Sequence, residues 1–245
     1  MSGGGRSDDA TVSVRRRDTL SEFSTDWSLA TAGLLSDAVP WRTFRWHRGQ
    51  KHYSGTYWSS TEAAHVIYES RLELARLLYA DFDVAVGRIF AQPFLLKATV
   101  DRRVRKHVPD FLLMTEQGPV VVDVKPLARL ANPRIRFTLD WTRKLVEGRG
   151  WRYEVWSEPP ATELGNIRFL AGFRNPRCFD ETFLEEVRQR DLSATALCEA
   201  LSADFGRPPA LVRSAVFHLV WTQYLTVDMR EPLTRSTILM KGPRP

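Results

Sequence analysis

His107-Val-Pro-Asp110-Phe-Leu-Leu-Met-Thr115-Glu-Gln-Gly-Pro119-Val-Val-Val-Asp123-Val-Lys125-Pro126 is the stretch on which the reading of the whole chain turns. Two apolar runs, Asp110–Met114 and Val120–Lys125, flank Glu116-Gln-Gly-Pro119, whose composition is that of a turn. The pattern predicts a β-hairpin. Folding about that turn sets Asp110, at the start of one strand, beside Asp123 to Lys125 at the end of the next. Opposed residues stand ~5 Å apart at Cβ, so the two carboxylates are expected to converge. The strand period of two puts Asp123 and Lys125 on one face and Val124 on the other, in the core.

Clustered carboxylates repel, and a cation relieves the repulsion. Mg²⁺ suits such a pair, since it takes one or two carboxylates, waters and substrate phosphate oxygens. A metal so placed activates water and offsets charge on phosphorus. Lys125, beside it, is expected to lower the pKa of the attacking water or to stabilise developing charge. It is the only lysine between Lys106 and Lys144 in a chain with 29 Arg and 6 Lys, and Arg is less suited to tuning a proton. A third acid is expected from a helix opening at Ser70-Arg-Leu-Glu73, where Leu74, Leu77 and Leu78 form an apolar stripe. Glu69 lies just outside it. Each residue also has a plainer reading. Glu73 fits a capping box with Ser70, Asp110 a turn after Pro109, and Asp123-Val-Lys125 an exposed strand with a cross-charge pair.

Outward from the hairpin, Ala64–Tyr68 reads as a strand, and Val84–Phe90 and Phe94–Val100 as two more, broken at Gln92-Pro93 and followed by a polar turn at Asp101-Arg102. Ile135–Arg149 reads as a helix stopped at Gly150, with a strand at Arg152–Trp156. This order predicts an α/β domain, a mixed sheet flanked by helices, over 41–160. Residues 1–40 are expected to be a largely flexible N-terminal segment. After Pro159-Pro160 come helical patterns at Glu181–Arg190, Ser193–Asp204 and Pro209–Thr222 and a hairpin of Tyr224–Met229 with Ser236–Met240. Three helices and a hairpin are the parts of a winged helix-turn-helix, which predicts a second, winged-helix-like domain at 161–245.

The chain has 245 residues and 43% hydrophobic content, which argues against wholesale disorder. Cys178 and Cys198 are its only cysteines, without CxxC spacing, so a disulfide framework or zinc site is not expected. Both cysteines and His218 are expected in the core. No apolar run approaches the ~18 residues of a membrane span, and the N-terminus lacks the apolar stretch of a signal peptide, so a cytoplasmic protein is expected. Charge is uneven. Residues 1–40 carry −2, residues 41–144 carry +8 and residues 145–245 carry zero. A basic segment of this kind suits a polyanion. Within it, Trp41–Tyr53 alternates aromatics with cations and suits phosphate contact plus stacking.

Ser70-Arg-Leu-Glu-Leu74, Gln92-Pro93-Phe94, His107-Val-Pro-Asp-Phe111 and Asp123-Val-Lys-Pro126 together resemble the TnsA family, endonuclease subunits of heteromeric transposases within the PD-(D/E)xK restriction-endonuclease-like superfamily. The resemblance covers about residues 50–160. It implies a restriction-endonuclease-like core and an Mg²⁺-dependent endodeoxyribonuclease, with Mn²⁺ as substitute, that cuts the 5′, non-transferred strand at transposon ends. Glu73, Asp110 and Asp123, with the Val124 carbonyl, would bind the metal, and Lys125 would assist the nucleophile. The family's usual Gln stands where this chain has Asp123, a departure expected to strengthen metal binding. Gln92, His107 and Arg129 would support the site or face DNA, although a simple surface histidine is the favoured reading of His107. The implied partners are double-stranded DNA at transposon ends, a DDE-type recombinase and an AAA+ ATPase met through the C-terminal domain, in a bacterial, nucleoid-associated setting. Residues 181–245 hold eight basic and eight acidic groups, which favours a protein contact there over base readout. A restriction, repair or junction-resolving nuclease of the same fold, or a non-catalytic DNA-binding or scaffold subunit, are the alternatives.

Overall fold

A computed structural model describes residues 10–18, 21–42 and 53–243. The chain divides into two compact units, one of residues up to Leu77 together with Ala85–Glu158, the other of Leu78–Val84 together with Pro159 onward. It is a mixed α/β protein. Most of the Trp41–Tyr53 alternation lies outside the described residues.

The first unit holds two larger sheets and a small hairpin. Strands β1 (Ala10–Arg16), β2 (Glu22–Asp26) and β3 (Ala38–Val39), with helix α1 (Ala32–Ser36) between the last two, come from the N-terminal segment. Next are the hairpin β4 (Gly55–Ser59) and β5 (Ala64–Tyr68), helix α2 (Arg71–Phe82), and strands β6 (Val86–Ala91), β7 (Leu95–Val100) and β8 (Arg103–His107). Strands β9 (Phe111–Thr115) and β10 (Gly118–Val124), helix α3 (Pro133–Glu147) and strand β11 (Arg152–Trp156) complete the unit. One sheet runs β2-β1-β7-β8 with β3 on β1, and the other β11-β10-β9-β6. β10 and β11 pair in parallel, linked by α3, as parallel strands need a crossover of a dozen residues or more.

The predicted hairpin is β9–β10. Its register runs from Thr115↔Gly118 to Val122↔Phe111. The turn is tighter than the sequence suggests, because Gly118 takes φ 101°, a left-handed conformation open to glycine, and already belongs to the strand. Phe111, Leu112, Leu113, Val121 and Val122 are almost wholly buried. At ~1.5–3 kcal/mol for each large apolar side chain removed from water, this hairpin is a main support of the fold.

One core joins both sheets to α3, through Val12, Val14, Leu96 and Ala98 on one side, Phe90, Leu112, Val121 and Tyr153 on the other, and Leu139, Trp141 and Val146 of the helix. Here the N-terminal expectation changes. The described part of residues 1–40 forms strands, with β1 paired to β7 from Ala10↔Ala98 to Ser13↔Leu95. Trp27 is buried, stacks edge-on against Trp151 at 5.5 Å between ring centroids and donates its Nε1–H to the Leu145 carbonyl at 2.9 Å. The Arg149 guanidinium lies over both indoles and donates to the carbonyls of Trp27 and Ala30. Burying a tryptophan outweighs the low apolar content around it.

Apart from Leu78–Val84, at the end of α2, the second unit runs from Pro159 onward. Helices α4 (Ala161–Leu170), α5 (Glu181–Gln189), α6 (Leu197–Leu201) and α7 (Pro209–Trp221) precede strands β12 (Leu225–Thr226) and β13 (Met240–Lys241). α4 has no counterpart among the predicted elements, because Pro159-Pro160 reads as a break although proline also opens helices. The expected helix at Ser193–Asp204 shrinks to α6, and the closing hairpin to two residues on each strand. α7 is buried from Ala215 to Trp221. His218 is in the core, with Nδ1 2.7 Å from the Phe173 carbonyl and a pKa lowered by burial. Cys178 is exposed and Cys198 half-buried, so the cysteines are not core residues as expected. Among the described residues, no helix is long and apolar enough to cross a membrane.

Candidate functional site

The two acids of the hairpin are held differently. Asp110 follows Pro109, one step beyond the last β9–β10 pair, and its backbone is tied on both sides: its N–H donates to the Val122 carbonyl at 3.0 Å and its carbonyl accepts from the Gln92 N–H at 2.9 Å. Its Oδ2 accepts the Val124 N–H at 2.6 Å and the Lys125 ammonium at 3.0 Å. The ammonium also donates to the Val124 carbonyl at 2.9 Å. Lys125 itself is anchored on β11, its N–H donating to the Trp156 carbonyl and its carbonyl accepting from the Ser157 hydroxyl at 2.8 Å.

Helix α2 adds Glu73. Its Oε2 accepts the Glu69 N–H at 2.7 Å, its Oε1 the Ser70 hydroxyl at 3.0 Å, and the Ser70 Oγ in turn accepts the Glu73 N–H at 3.1 Å. This is the capping box. The same carboxylate also belongs to the cluster: burial, and then the charge of Asp110, push its pKa up to about 7. Burial likewise raises Asp110 against the pull of Lys125. Burial alone would lower Lys125, but Asp110 and Asp123 outweigh it and hold its pKa above the usual value. Lys125 is therefore a cation at neutral pH, the form that both roles expected of it require.

Asp123 is placed against expectation. Its side chain has no exposure, whereas those of Asp110 and Lys125 keep 19% and 29%. Both of its oxygens lie 2.8 Å from His107 Nε2, and Oδ2 also accepts the Tyr153 hydroxyl. Although burial raises its pKa, His107 and Lys125 more than reverse that and hold it below the usual carboxylate range. A carboxylate only accepts, so His107 Nε2 carries the proton. The period-two rule explains the placement: Asp123 shares its face with Val121, which is fully buried beside Tyr153. That face turns to the core, and Val124 is buried as well. Asp123 is thus a buried acceptor behind Asp110, and does not offer a free carboxylate beside it.

His107, read by preference as a surface histidine, is mostly buried, with its ring edge-on to Trp141 at 6.2 Å. Gln92 is buried and holds φ 47°, strained for a residue with a side chain. Its Nε2 donates to Glu69 Oε1 at 2.7 Å and its Oε1 accepts the Arg42 N–H at 3.0 Å. With its N–H on the Asp110 carbonyl, Gln92 links the strand carrying the first acid to the entrance of α2. Arg129 ends a 3-10 turn, exposed and outside this cluster. Tyr153 is the residue that sequence reasoning missed. Its strand is legible, but its parallel pairing beside β10 (Val121↔Tyr153) depends on a crossover that local sequence does not specify.

No group of three or more His, Cys, Asp or Glu side chains able to hold a metal occurs among the described residues. Asp110 and the Val124 carbonyl touch the Lys125 ammonium, and the charges of Asp123 and Glu73 also reach it. Oxygen donors of this kind suit Mg²⁺, which keeps waters and phosphate oxygens in its remaining positions. The raised Glu73 and Asp110 are what two buried carboxylates without a full countercharge should show. No protein-family model and no curated protein matches the chain.

Proposed function

We propose that the chain is a divalent-metal-dependent DNA endonuclease with a restriction-endonuclease-like core and a winged-helix-like second unit. In this reading it resembles the TnsA family and cuts the 5′, non-transferred strand at transposon ends, alongside a DDE-type recombinase and an AAA+ ATPase. The observation that carries the reading is the bonding of Asp110 Oδ2 to both Lys125 Nζ and the Val124 N–H, with Glu73 feeling the charge of the same acid. Strand acid and strand-end lysine are in contact, and the helix acid, far away in sequence, responds to their charges.

Glu73, Asp110 and the Val124 carbonyl would hold Mg²⁺, with Asp123 behind them. Bound there, the ion would supply a Lewis acid to the scissile phosphate. Lys125, kept protonated by Asp110 and Asp123, would donate to a phosphate oxygen as negative charge grows on it. Gln92 and the backbone bonds of Asp110 would keep the acid aligned, and His107 with Tyr153 would fix Asp123 so that its charge supports Lys125.

The test is nicking of supercoiled plasmid bearing transposon ends, with Mg²⁺ or Mn²⁺ and with the partner subunits added. Asp110→Ala and Lys125→Ala are each expected to slow cleavage at least about a hundredfold while the protein stays folded. Cleavage by Asp110→Ala at the wild-type rate would remove the catalytic assignment and leave the scaffold reading.

A further inference from the structure

The cations of the first unit fall into two populations. Some are paired: Arg76 with Glu154 at 2.9 Å, Arg88 with Glu62 at 3.1 Å, Arg143 with Glu147 at 3.1 Å. Others, among them Arg102, Arg103 and Lys106 at the β7–β8 hairpin and Arg134 and Arg136 at the start of α3, are exposed and make no ion pair among the described residues. Burial of β8 against a partner strand does not explain them, since it is the edge strand of its sheet.

The two banks are joined through one face of β8, which packs on α3, while Lys106 lies on the other face of the strand. On the inner face of β8, opposite Ala98, Arg105 lays its guanidinium 5.0 Å from the ring centroid of Phe137, the residue after Arg136. Its Nε is buried without a hydrogen-bond partner. Two residues on, His107 meets Trp141 of the same helix. The hairpin therefore lies along α3, its basic strand ending at His107, three residues before Asp110.

Two local features run against ordinary preference. Asp101 and Arg102 form the two-residue hairpin turn with φ of 51° and 57°, a conformation in which Asn-Gly is favoured. Helix α3 has no acid in its first turn, and carries Arg134 and Arg136 where the helix dipole already concentrates positive charge. The second is tolerable where an anion is bound.

We infer that the β7–β8 hairpin and the start of α3 form a single phosphate-holding surface for duplex DNA, along which one strand is led toward Asp110. The inference rests on the nuclease reading for its direction toward Asp110. β8, five residues at ~3.3 Å each, is about as long as five phosphates of one strand at ~3.4 Å per phosphate along the duplex axis, with Arg103 and Arg105 on one face and Lys106 on the other. The contacts fall on the backbone and carry no base readout.

The test uses the full chain and a fluorescently labelled duplex of unrelated sequence, with Ca²⁺ replacing Mg²⁺, followed by anisotropy over a range of KCl concentrations. Arg102→Ala, Arg103→Ala and Lys106→Ala are combined in one variant, all three side chains being exposed. Arg177→Ala, Arg213→Ala and Arg235→Ala, exposed in the second unit, remove the same charge as a control. The hairpin variant is expected to bind about tenfold more weakly or worse, with the slope of log K against log salt reduced by about 0.9 for each phosphate no longer neutralised, and the control to keep the wild-type slope. Equal slopes for the two variants, aggregation of the hairpin variant with its slope unchanged, or no duplex binding by the wild type would each overturn the inference. A hairpin variant that binds like wild type while the wild type nicks would end this inference alone. Hairpin-dependent binding by a wild type that never nicks with Mg²⁺ or Mn²⁺ would end the nuclease reading and leave the surface standing.

Discussion

Asp110 and Asp123 leave the two strands of one hairpin side by side and finish in unlike surroundings. The Asp110 carboxylate reaches Lys125 and the Val124 N–H, stays partly exposed, and is pushed up by burial, as is Glu73 beside it. The Asp123 carboxylate is sealed from solvent, collects His107 and Tyr153, and is held low. The difference separates two uses of a buried charge. A carboxylate whose hydrogen bonds are complete is part of the framework. Carboxylates left short of countercharge cost stability, and that deficit is what a cation or a phosphate-bound ion would relieve.

The largest break in this contrast comes from Asp123→Ala. It leaves the His107 Nε2–H and the Tyr153 hydroxyl without their acceptor, and is expected to cost about 3–5 kcal/mol in a urea unfolding experiment. If stability is unchanged and nicking alone is lost, Asp123 is a ligand in the working protein and the contrast fails.

Glu73→Gln sharpens the other side, because glutamine keeps the capping box but carries no charge. Folded wild-type protein holds the Glu73 proton up to about pH 7, whereas the unfolded chain releases it near the ordinary glutamate value of 4.5. The folded state therefore binds the extra proton between those values, and wild-type stability should fall as pH rises through that window. In chelator, thermal melts of Glu73→Gln should show a flatter profile, with a difference on the order of 1–3 kcal/mol at neutral pH. Parallel profiles would mean that Glu73 is not strained.

The smallest effect is expected from Tyr153→Phe. It removes one donor from Asp123 and leaves His107 in place, costing about 1–2 kcal/mol by urea titration, with nicking little changed. A large loss of nicking at constant stability would instead join the buried group to the chemistry.

Local pattern carried much of this architecture. The hairpin, the helix after Ser70, the break at Gln92-Pro93, the turn at Asp101-Arg102 and the strand at Arg152–Trp156 all follow from alternation, capping and turn composition, which act over a few residues. The N-terminal strands were legible only in part. Ala10-Thr-Val-Ser-Val14 does alternate, but it sits among Gly, Ser and Arg, and its pairing with Leu95–Ala98 joins residues some eighty positions apart. Nothing local signals such a pairing, because its free energy comes from the shared core around Trp27 and Leu35.

The site divides in the same way. That Asp110 would stand beside Asp123 to Lys125, and that Glu73 would close a box with Ser70, followed from spacing alone, since strand and helix periods are properties of the backbone. Which carboxylate stayed reachable did not. Alternation states that Asp123 lies on one face and Val124 on the other, but it is silent about which faces the interior. Packing of the second sheet against β7, β8 and α3 made that choice. It brought His107 and Tyr153 to Asp123 and left Asp110, Glu73 and Lys125 only partly buried in a basic unit, because burial is decided by neighbours that the chain supplies from far along its length.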